Sequence, residues 1–152
     1  MFATNFFSED KSFVLQNKKS IRKLLGLVCE RESKKISFIN CIFCSDEYLL
    51  EINKKYLKHN QPTDVITFDY APKSDSLEGD VYISVDTVKV NAKDYNVSFQ
   101  EEIVRVIVHG ALHLVGFLDK SKKEKRIMRS KENKYLSLYK ELKVPRGTQK
   151  IK

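Results

Sequence analysis

Two histidines four positions apart, His109 and His113, form the clearest candidate for a metal-binding pair in this chain. In an α-helix this spacing puts both imidazole rings on one face, one turn apart, where they could reach one metal ion. Asp119 follows His113 by six positions and comes just after Gly116, a residue type that commonly ends a helix. Two neutral nitrogens and one carboxylate oxygen suit zinc and leave its fourth position open to water. The pattern therefore predicts a catalytic zinc site made by His109, His113 and Asp119.

The same residues are compatible with other roles. The histidines could be core residues hydrogen-bonded to backbone or carboxylate groups, and Asp119 could cap the element that follows it. Arg105 continues the polar stripe one turn before His109, in an otherwise apolar segment. Burying two imidazoles and a guanidinium is costly without an ion, a carboxylate or a cleft, which favours the metal site. Gly110 stands where the peptidase motif H-E-x-x-H has its glutamate, so that class is disfavoured; a glycine there leaves room for a bulky substrate or a close backbone.

The predicted elements put the histidine stripe on a central, buried helix. Ser98 and Glu101 have the pattern of a capping box, and the apolar segment after them predicts a helix that ends near Gly116. A second capping box begins at Ser121 and opens a long amphipathic helix that ends before Pro145. The two helices follow each other directly, so we expect them to lie close together.

The rest of the chain alternates between strand and helix patterns. Strands are predicted around residues 5–7, 36–44, 64–70 and 80–85, and helices over 18–33, 45–57 and 86–96, the last capped by Asp86. Residues 71–79 are predicted to form a loop between two strands that could pair. This order predicts an α+β fold: one domain over residues 1–144, with a small four-stranded mixed sheet covered by about five helices. Residues 145–152 are predicted to be a flexible tail.

Composition narrows the class of protein. A chain of 152 residues, 41% hydrophobic and 32% charged, is typical of one soluble globular domain. Its net charge of +8 favours a polyanionic partner such as nucleic acid, although the lysines could simply solvate the surface. The three cysteines, Cys29, Cys41 and Cys44, fit no disulfide framework and are expected to be buried thiols in a reducing compartment, rather than a C-x-x-C metal site. Neither a signal peptide nor a membrane span is predicted.

Three ordered segments resemble the YbeY endoribonuclease family. The sequence HGALHLVGFLD at 109–119 resembles the family signature H-G-x-L-H-L-x-G-[YF]-D-H. PTDVITF at 62–68 resembles the family's P-T-D/N-V-L-S-F strand, and GDVYIS at 79–84 resembles its G-D-[IV]-x-I-S strand. MRSKEN at 128–133 fits the family's last helix. The order and spacing of these segments agree with the family from about residue 47 to residue 136.

The resemblance implies a bacterial, cytoplasmic, metal-dependent hydrolase of single-stranded RNA. The family matures ribosomal RNA, notably that of the small subunit, and acts in ribosome quality control, so the implied partners are RNA and the small ribosomal subunit or its proteins. The implied fold is a four-stranded sheet with helices. The implied cofactor is a zinc ion held by three histidines.

Two positions depart from the family pattern. Asp119 stands where the family has its third histidine, and a carboxylate ligand could move the metal preference towards harder ions such as manganese. Leu57 stands where the family commonly has an arginine before the P-T-D strand. The candidates for supplying the missing positive charge near a phosphate are Lys58, His59 and Arg105.

These observations predict a zinc-dependent endoribonuclease. In this hypothesis the ion lowers the pKa of its bound water and basic side chains neutralise the phosphate oxygens. A non-catalytic ribosome-assembly factor with a structural metal is the main alternative. Another zinc hydrolase, suggested only by the two helical histidines, is a weaker one.

Overall fold

A four-stranded mixed sheet forms the centre of the computed structural model, which describes residues 3–10, 12–57 and 64–143. Its strands are β1 (Thr4–Ser8), β2 (Lys35–Cys44), β3 (Val65–Asp69) and β4 (Ser76–Ser84). The spatial order is β1-β2-β4-β3. β2 pairs in parallel with both β1 and β4, whereas β3 and β4 are antiparallel. The predicted pairing of the third and fourth strands is therefore confirmed.

Five α-helices accompany the sheet in the described part of the chain. They are α1 (Lys18–Arg31), α2 (Asp46–Ile52), α3 (Val85–Asp94), α4 (Phe99–Val115) and α5 (Lys122–Leu142). A π-helical turn, Asn53–Leu57, continues α2, so that the two together cover the predicted helix at 45–57. The four strands and five helices confirm the predicted α+β class.

Helix α4 lies against the sheet because most of its surface is apolar. Ten of its residues are buried, among them Ile103, Val104, Ile107, Val108 and Leu112. A Cβ atom added to Gly110 would lie 2.5 Å from Cγ1 of Val81 on β4, so the glycine allows the helix to approach the strand closely. Gly110 therefore serves packing beneath the histidine face.

The ends of α4 and α5 are set by their capping residues. The Ser98 side chain accepts a hydrogen bond from the Glu101 N–H at the start of α4. Ser121 and Glu124 form a reciprocal capping box at the start of α5, as predicted. Helix α4 ends at Gly116, whose φ of 126° lies in a region that side-chain-bearing residues rarely adopt. These caps hold the chain between the two helices, which carries Asp119, close to the histidines.

Strand β4 is longer than the sequence pattern indicated. It begins at Ser76, which pairs with Lys35 of β2, so much of the predicted loop at 71–79 belongs to the sheet. Along β4, buried residues alternate with half-buried polar ones, and the glycine and carboxylates in this run resemble turn chemistry. The prediction of a strand start at residue 80 was wrong because pairing to β2 stabilises a sequence with weak strand propensity.

The cap of α3 also differs from its prediction. Ser84, not Asp86, occupies the capping position, and its hydroxyl accepts a hydrogen bond from the Thr87 N–H. The Asp86 carboxylate instead accepts a hydrogen bond from the N–H of Asp46 at the start of α2. Asp86 thus joins two helices rather than starting one.

The predicted cysteine state is confirmed: all three thiols are free and buried. Burial raises the pKa of each thiol to about 12. Across the residues that the structure describes, we find no helix that combines the length and the apolar character of a membrane span. Lys58, His59 and the predicted tail at 145–152 lie outside the described residues.

Candidate metal centre

The three predicted ligand side chains converge at the C-terminal end of α4. The Nε2 atoms of His109 and His113 are 2.9 Å apart. Oδ2 of Asp119 lies 3.1 Å from the first of these nitrogens and 3.4 Å from the second. Ligand atoms at zinc-bond length from one tetrahedral ion are separated by about 3.4 Å, so these distances are close to those of a shared coordination shell. The sequence-predicted triad is thus brought together in space.

The outer ring nitrogens of both histidines have acceptors. Nδ1 of His109 lies 2.6 Å from Oε2 of Glu132, and Nδ1 of His113 lies 2.9 Å from the carbonyl oxygen of Phe117. An ionised carboxylate and a carbonyl only accept hydrogen bonds, so each ring carries its proton on Nδ1. In the neutral form of each ring Nε2 therefore presents a lone pair, and the two Nε2 atoms point towards the same small space.

Two lone pairs facing each other across 2.9 Å repel unless a positive charge lies between them. A shared proton or a metal ion would supply that charge. The Asp119 oxygen completes a donor set of two imidazoles and one carboxylate, which is a known catalytic zinc set. The residues present therefore fit a divalent cation on grounds of their own chemistry.

The surroundings of His109 favour positive charge on its ring. Burial by itself lowers the pKa of His109, because the charged ring loses water. The hydrogen bond to Glu132, and the negative charges of Glu132, Asp119 and Asp64, outweigh burial and raise this pKa above its usual value. The same carboxylates that attract a proton also attract a coordinated cation, so protons compete with metal at this ligand.

Glu132 is a site residue that the sequence reasoning did not identify. It lies on α5 and is only 5% exposed, and its Oε1 accepts a hydrogen bond from Nη1 of Arg105 at 3.1 Å. A signal was present in the sequence, because Glu132 occupies an inward position of α5 in register with Met128, Tyr135 and Tyr139. A carboxylate on an otherwise apolar stripe calls for a buried partner.

Arg105, a predicted candidate for contacting phosphate, lies beside His109 but is engaged by protein groups. Its Nη1 donates to Glu132 and to Oδ1 of Asn133, each at 3.1 Å, and its side chain is 16% exposed. Arg129 on α5 is the more accessible cation near the site, with 55% of its side chain exposed. It was not singled out from the sequence.

A cavity of about 130 Å³ adjoins His109 between α3, α4 and α5. Arg105 and Arg129 line it together with Tyr95 and the carboxylates of Asp64 and Glu132. Its volume corresponds to about four water molecules. Of the three proposed ligands only His109 lines this cavity, so the cavity lies beside the triad rather than around it.

Comparison with known proteins identifies the family of this chain. Residues 5–140 match the family model described as endoribonuclease YbeY. The endoribonuclease YbeY of Cytophaga hutchinsonii is 45% identical over 135 residues, which cover 89% of this chain and 94% of that protein. The protein of the same name from Flavobacterium johnsoniae is 44% identical over 133 residues, covering 88% and 95%. A solution structure of a Thermotoga maritima protein superposes with a TM-score of 0.63 at 26% identity, covering 90% of this chain and 88% of that one. The chain belongs to the endoribonuclease YbeY family.

Proposed function

We propose that this chain is a metal-dependent endoribonuclease that cuts single-stranded RNA, with His109, His113 and Asp119 as ligands of one divalent ion. The observation that carries the proposal is the convergence of two Nε2 atoms and one carboxylate oxygen within 4.8 Å. Family membership supplies the reaction class. Three protein groups converge among the described residues, so an ion held by them would keep a fourth position for water or a phosphate oxygen.

The residues of the site would have two roles in the reaction: some bind the ion, and others neutralise the negative charge of the substrate. Bound at the triad, a divalent ion supplies a Lewis acid that makes water more acidic and polarises a phosphate oxygen. His109 and His113 keep their Nε2 lone pairs available because their protons are held on Nδ1. Arg129 lies beside the cavity next to His109 and ion-pairs with non-bridging phosphate oxygens as negative charge develops there. Arg105, Lys58 and His59 remain further candidates for this electrostatic role.

Zinc is the proposed ion, and Asp119 is the residue expected to change the metal preference of the site. A third histidine would give an all-nitrogen, neutral ligand set, whereas Asp119 adds an oxygen ligand and a negative charge. The charge makes a bound ion a weaker Lewis acid and improves binding of harder ions such as manganese. Activity with manganese as well as zinc is therefore expected.

The proposed substrate is ribosomal RNA, in particular that of the small subunit, and the proposed place of action is the cytoplasm. The net charge of +8 supports binding to a polyanion. Three buried cysteines without disulfides suit a reducing compartment. Small-subunit particles or their proteins are the proposed partners.

The test uses metal-stripped protein reloaded with zinc or manganese and three fluorescent substrates: single-stranded RNA, duplex RNA and single-stranded DNA. The loaded protein should cut only single-stranded RNA. His113→Ala should retain its circular dichroism spectrum and cut RNA more than about 100-fold more slowly. The loss of a metal ligand should lower the cleavage rate more than the loss of a residue that only supports a ligand. Equal cleavage by wild type and His113→Ala would contradict the proposal.

The non-catalytic alternative has one feature in its favour. Leu57 replaces an arginine that the family commonly carries near the substrate. An assembly factor without catalysis would bind small-subunit particles, yet leave single-stranded RNA intact with every metal. The same cleavage assay, run beside a particle-binding assay, separates the two functions.

A further inference from the structure

The two histidines of the proposed metal site are supported by acceptors of different strength. Nδ1 of His109 donates to a carboxylate oxygen of Glu132 at 2.6 Å. Nδ1 of His113 donates to the neutral backbone carbonyl of Phe117 at 2.9 Å. A charged acceptor withdraws the ring proton more strongly than a neutral one, so it leaves more electron density on the opposite nitrogen. The ligands are therefore chemically unequal.

The Glu132 carboxylate is fixed in place rather than mobile. It is 5% exposed, and each of its oxygens has its own partner: Oε1 accepts from Arg105 and Oε2 from His109. Arg105 is fixed in turn, because the same Nη1 also donates to Asn133. Both side chains thus have one orientation that serves all these contacts at once.

Arg105 makes these contacts with α5 while one oxygen of another carboxylate, that of Glu102, lacks a hydrogen bond among the described residues. Oε1 of Glu102, one turn earlier on α4, is buried and has no hydrogen-bond partner among the described residues. Its nearest cation is Nε of Arg105 at 3.8 Å, too far for a hydrogen bond. Burial raises the pKa of Glu102 despite this arginine. The fold directs the short contacts of Arg105 to Glu132, although a second carboxylate lies close to it.

We propose that Arg105 and Glu132 form a positioning relay that makes His109 the stronger of the two histidine ligands. This inference rests on the proposed metal site. Glu132 orients the His109 ring, keeps its proton on Nδ1 and makes Nε2 a better electron donor. Arg105 holds the Glu132 carboxylate in the orientation that faces His109. Among the described residues, Nδ1 of His113 has the backbone carbonyl of Phe117 as its acceptor in place of a carboxylate.

A purely structural role of Arg105 and Glu132 is the simpler alternative, because the same contacts connect α4 to α5. The two roles differ in what they change. Contacts that only connect the two helices would affect stability alone. A relay would also affect the position of the proton on the His109 ring and the affinity for metal, in protein that remains folded. The test therefore measures ring state and metal affinity directly, with thermal unfolding as a check on folding.

The variants are Glu132→Gln, which keeps the shape of the side chain and removes its charge, and Arg105→Met, which removes the guanidinium. Glu141→Gln and Arg126→Met, at exposed positions of α5, are the matched controls. Zinc affinity is measured by competition with a chromogenic chelator at one pH. The ring nitrogens are followed by ¹⁵N NMR in metal-free protein.

We expect Glu132→Gln to raise the dissociation constant for zinc by about 10- to 100-fold and Arg105→Met to raise it by about tenfold. The controls should match wild type. In metal-free protein, at a pH high enough for the His109 ring to be neutral, the wild-type spectrum should place its single proton on Nδ1, and Glu132→Gln should shift the His109 signals and spare those of His113.

Unchanged zinc affinity in folded Glu132→Gln and Arg105→Met overturns the relay, as does a wild-type spectrum with the His109 proton on Nε2. Failure of the proposed function has a separate signature: wild type then holds no ion tightly or cuts no RNA. The metal-free spectrum still decides the relay in that case. If Glu132→Gln does not fold, Arg105→Met and the wild-type spectrum carry the test.

Discussion

A buried carboxylate, Glu132, and a partly buried one, Glu32, connect α5 to other helices, and only Glu132 belongs to the candidate site. Glu132, on α5, accepts hydrogen bonds from Arg105 and His109 of α4. Glu32, which directly follows α1, accepts hydrogen bonds from Tyr135 and from Nζ of Lys131 on α5, the latter at 2.9 Å. Each carboxylate thus bridges two helices through two donors.

The two carboxylates also respond similarly to their surroundings. Burial alone would raise the pKa of each, yet both pKa values lie below the usual value of 4.5 because hydrogen-bond donors and positive charges outweigh burial. A lowered carboxylate pKa in a hydrogen-bond network between helices is therefore no mark of function by itself. The difference lies beyond the donor: behind Tyr135 is closed core, whereas behind His109 are a second imidazole, Asp119 and a cavity.

The largest expected effect comes from removing the donor in each network. His109→Ala should lose tight zinc binding and lower the rate of RNA cleavage by more than about 100-fold, because a ligand is lost. Tyr135→Phe should leave both unchanged and only lower the melting temperature, because it removes one hydrogen bond. Metal content, cleavage rate and thermal unfolding check the pair. Loss of metal in folded Tyr135→Phe would erase the distinction between the two regions.

The close packing of α4 on β4 offers a second, purely structural contrast. Gly110→Ala puts a methyl group against Val81 and should lower the free energy of unfolding by about 1–3 kcal/mol. Gly26, within α1, has open space around it, so Gly26→Ala should raise the free energy of unfolding by up to about 1 kcal/mol. Urea unfolding measures both changes. Equal effects of the two substitutions would mean that Val81 does not constrain the helix.

The two carboxylates should also differ in how their removal affects stability at different pH values, and this effect is expected to be smaller. Glu32→Gln should lower the free energy of unfolding by roughly 1–3 kcal/mol at neutral pH, because Tyr135 and Lys131 lose a charged acceptor. The folded-state pKa of Glu32 lies below its usual 4.5, so its contribution is present above pH 4.5 and is lost as pH falls through the folded pKa. Unfolding of wild type and Glu32→Gln should therefore converge in acid. The zinc affinity of Glu32→Gln should match that of wild type at pH 7. A weaker affinity would contradict a purely structural role of Glu32.

The smallest expected change concerns the third ligand. Asp119→His restores the family's residue and replaces an oxygen ligand by a nitrogen. We expect the ratio of zinc to manganese affinity to rise while RNA cleavage continues, because nitrogen ligands suit zinc better than manganese. Chelator competition with each ion measures the ratio. An unchanged ratio would indicate that residue 119 does not coordinate the ion.

The parts of the site that the sequence predicted are those set by local geometry. His109 and His113 share a helix face because of their spacing, and Gly116 ends that helix so that the chain returns with Asp119. Residues close in sequence are constrained by one helix and one turn. Their convergence follows from rules that need no knowledge of the rest of the fold.

The parts that the sequence left undecided depend on contacts between distant segments. Glu132 reaches His109 across 23 positions, and only the packing of α5 on α4 brings them together. The same packing turns Arg105 towards α5, although its position in the polar stripe was equally compatible with the substrate side. The early start of β4 likewise depends on its pairing with β2. Charged residues on apolar stripes were the available signal, and each indicated a buried partner without identifying it.

The proposed function depends on one divalent ion bound by two imidazoles and a carboxylate, and X-ray absorption spectroscopy of zinc-loaded protein measures that coordination. We expect a four-coordinate ion with two imidazole nitrogens at about 2.0–2.1 Å and oxygen in the remaining positions. His113→Ala should lose one imidazole from that shell or lose the ion. A shell without imidazole, or one that His113→Ala leaves unchanged, would contradict the account.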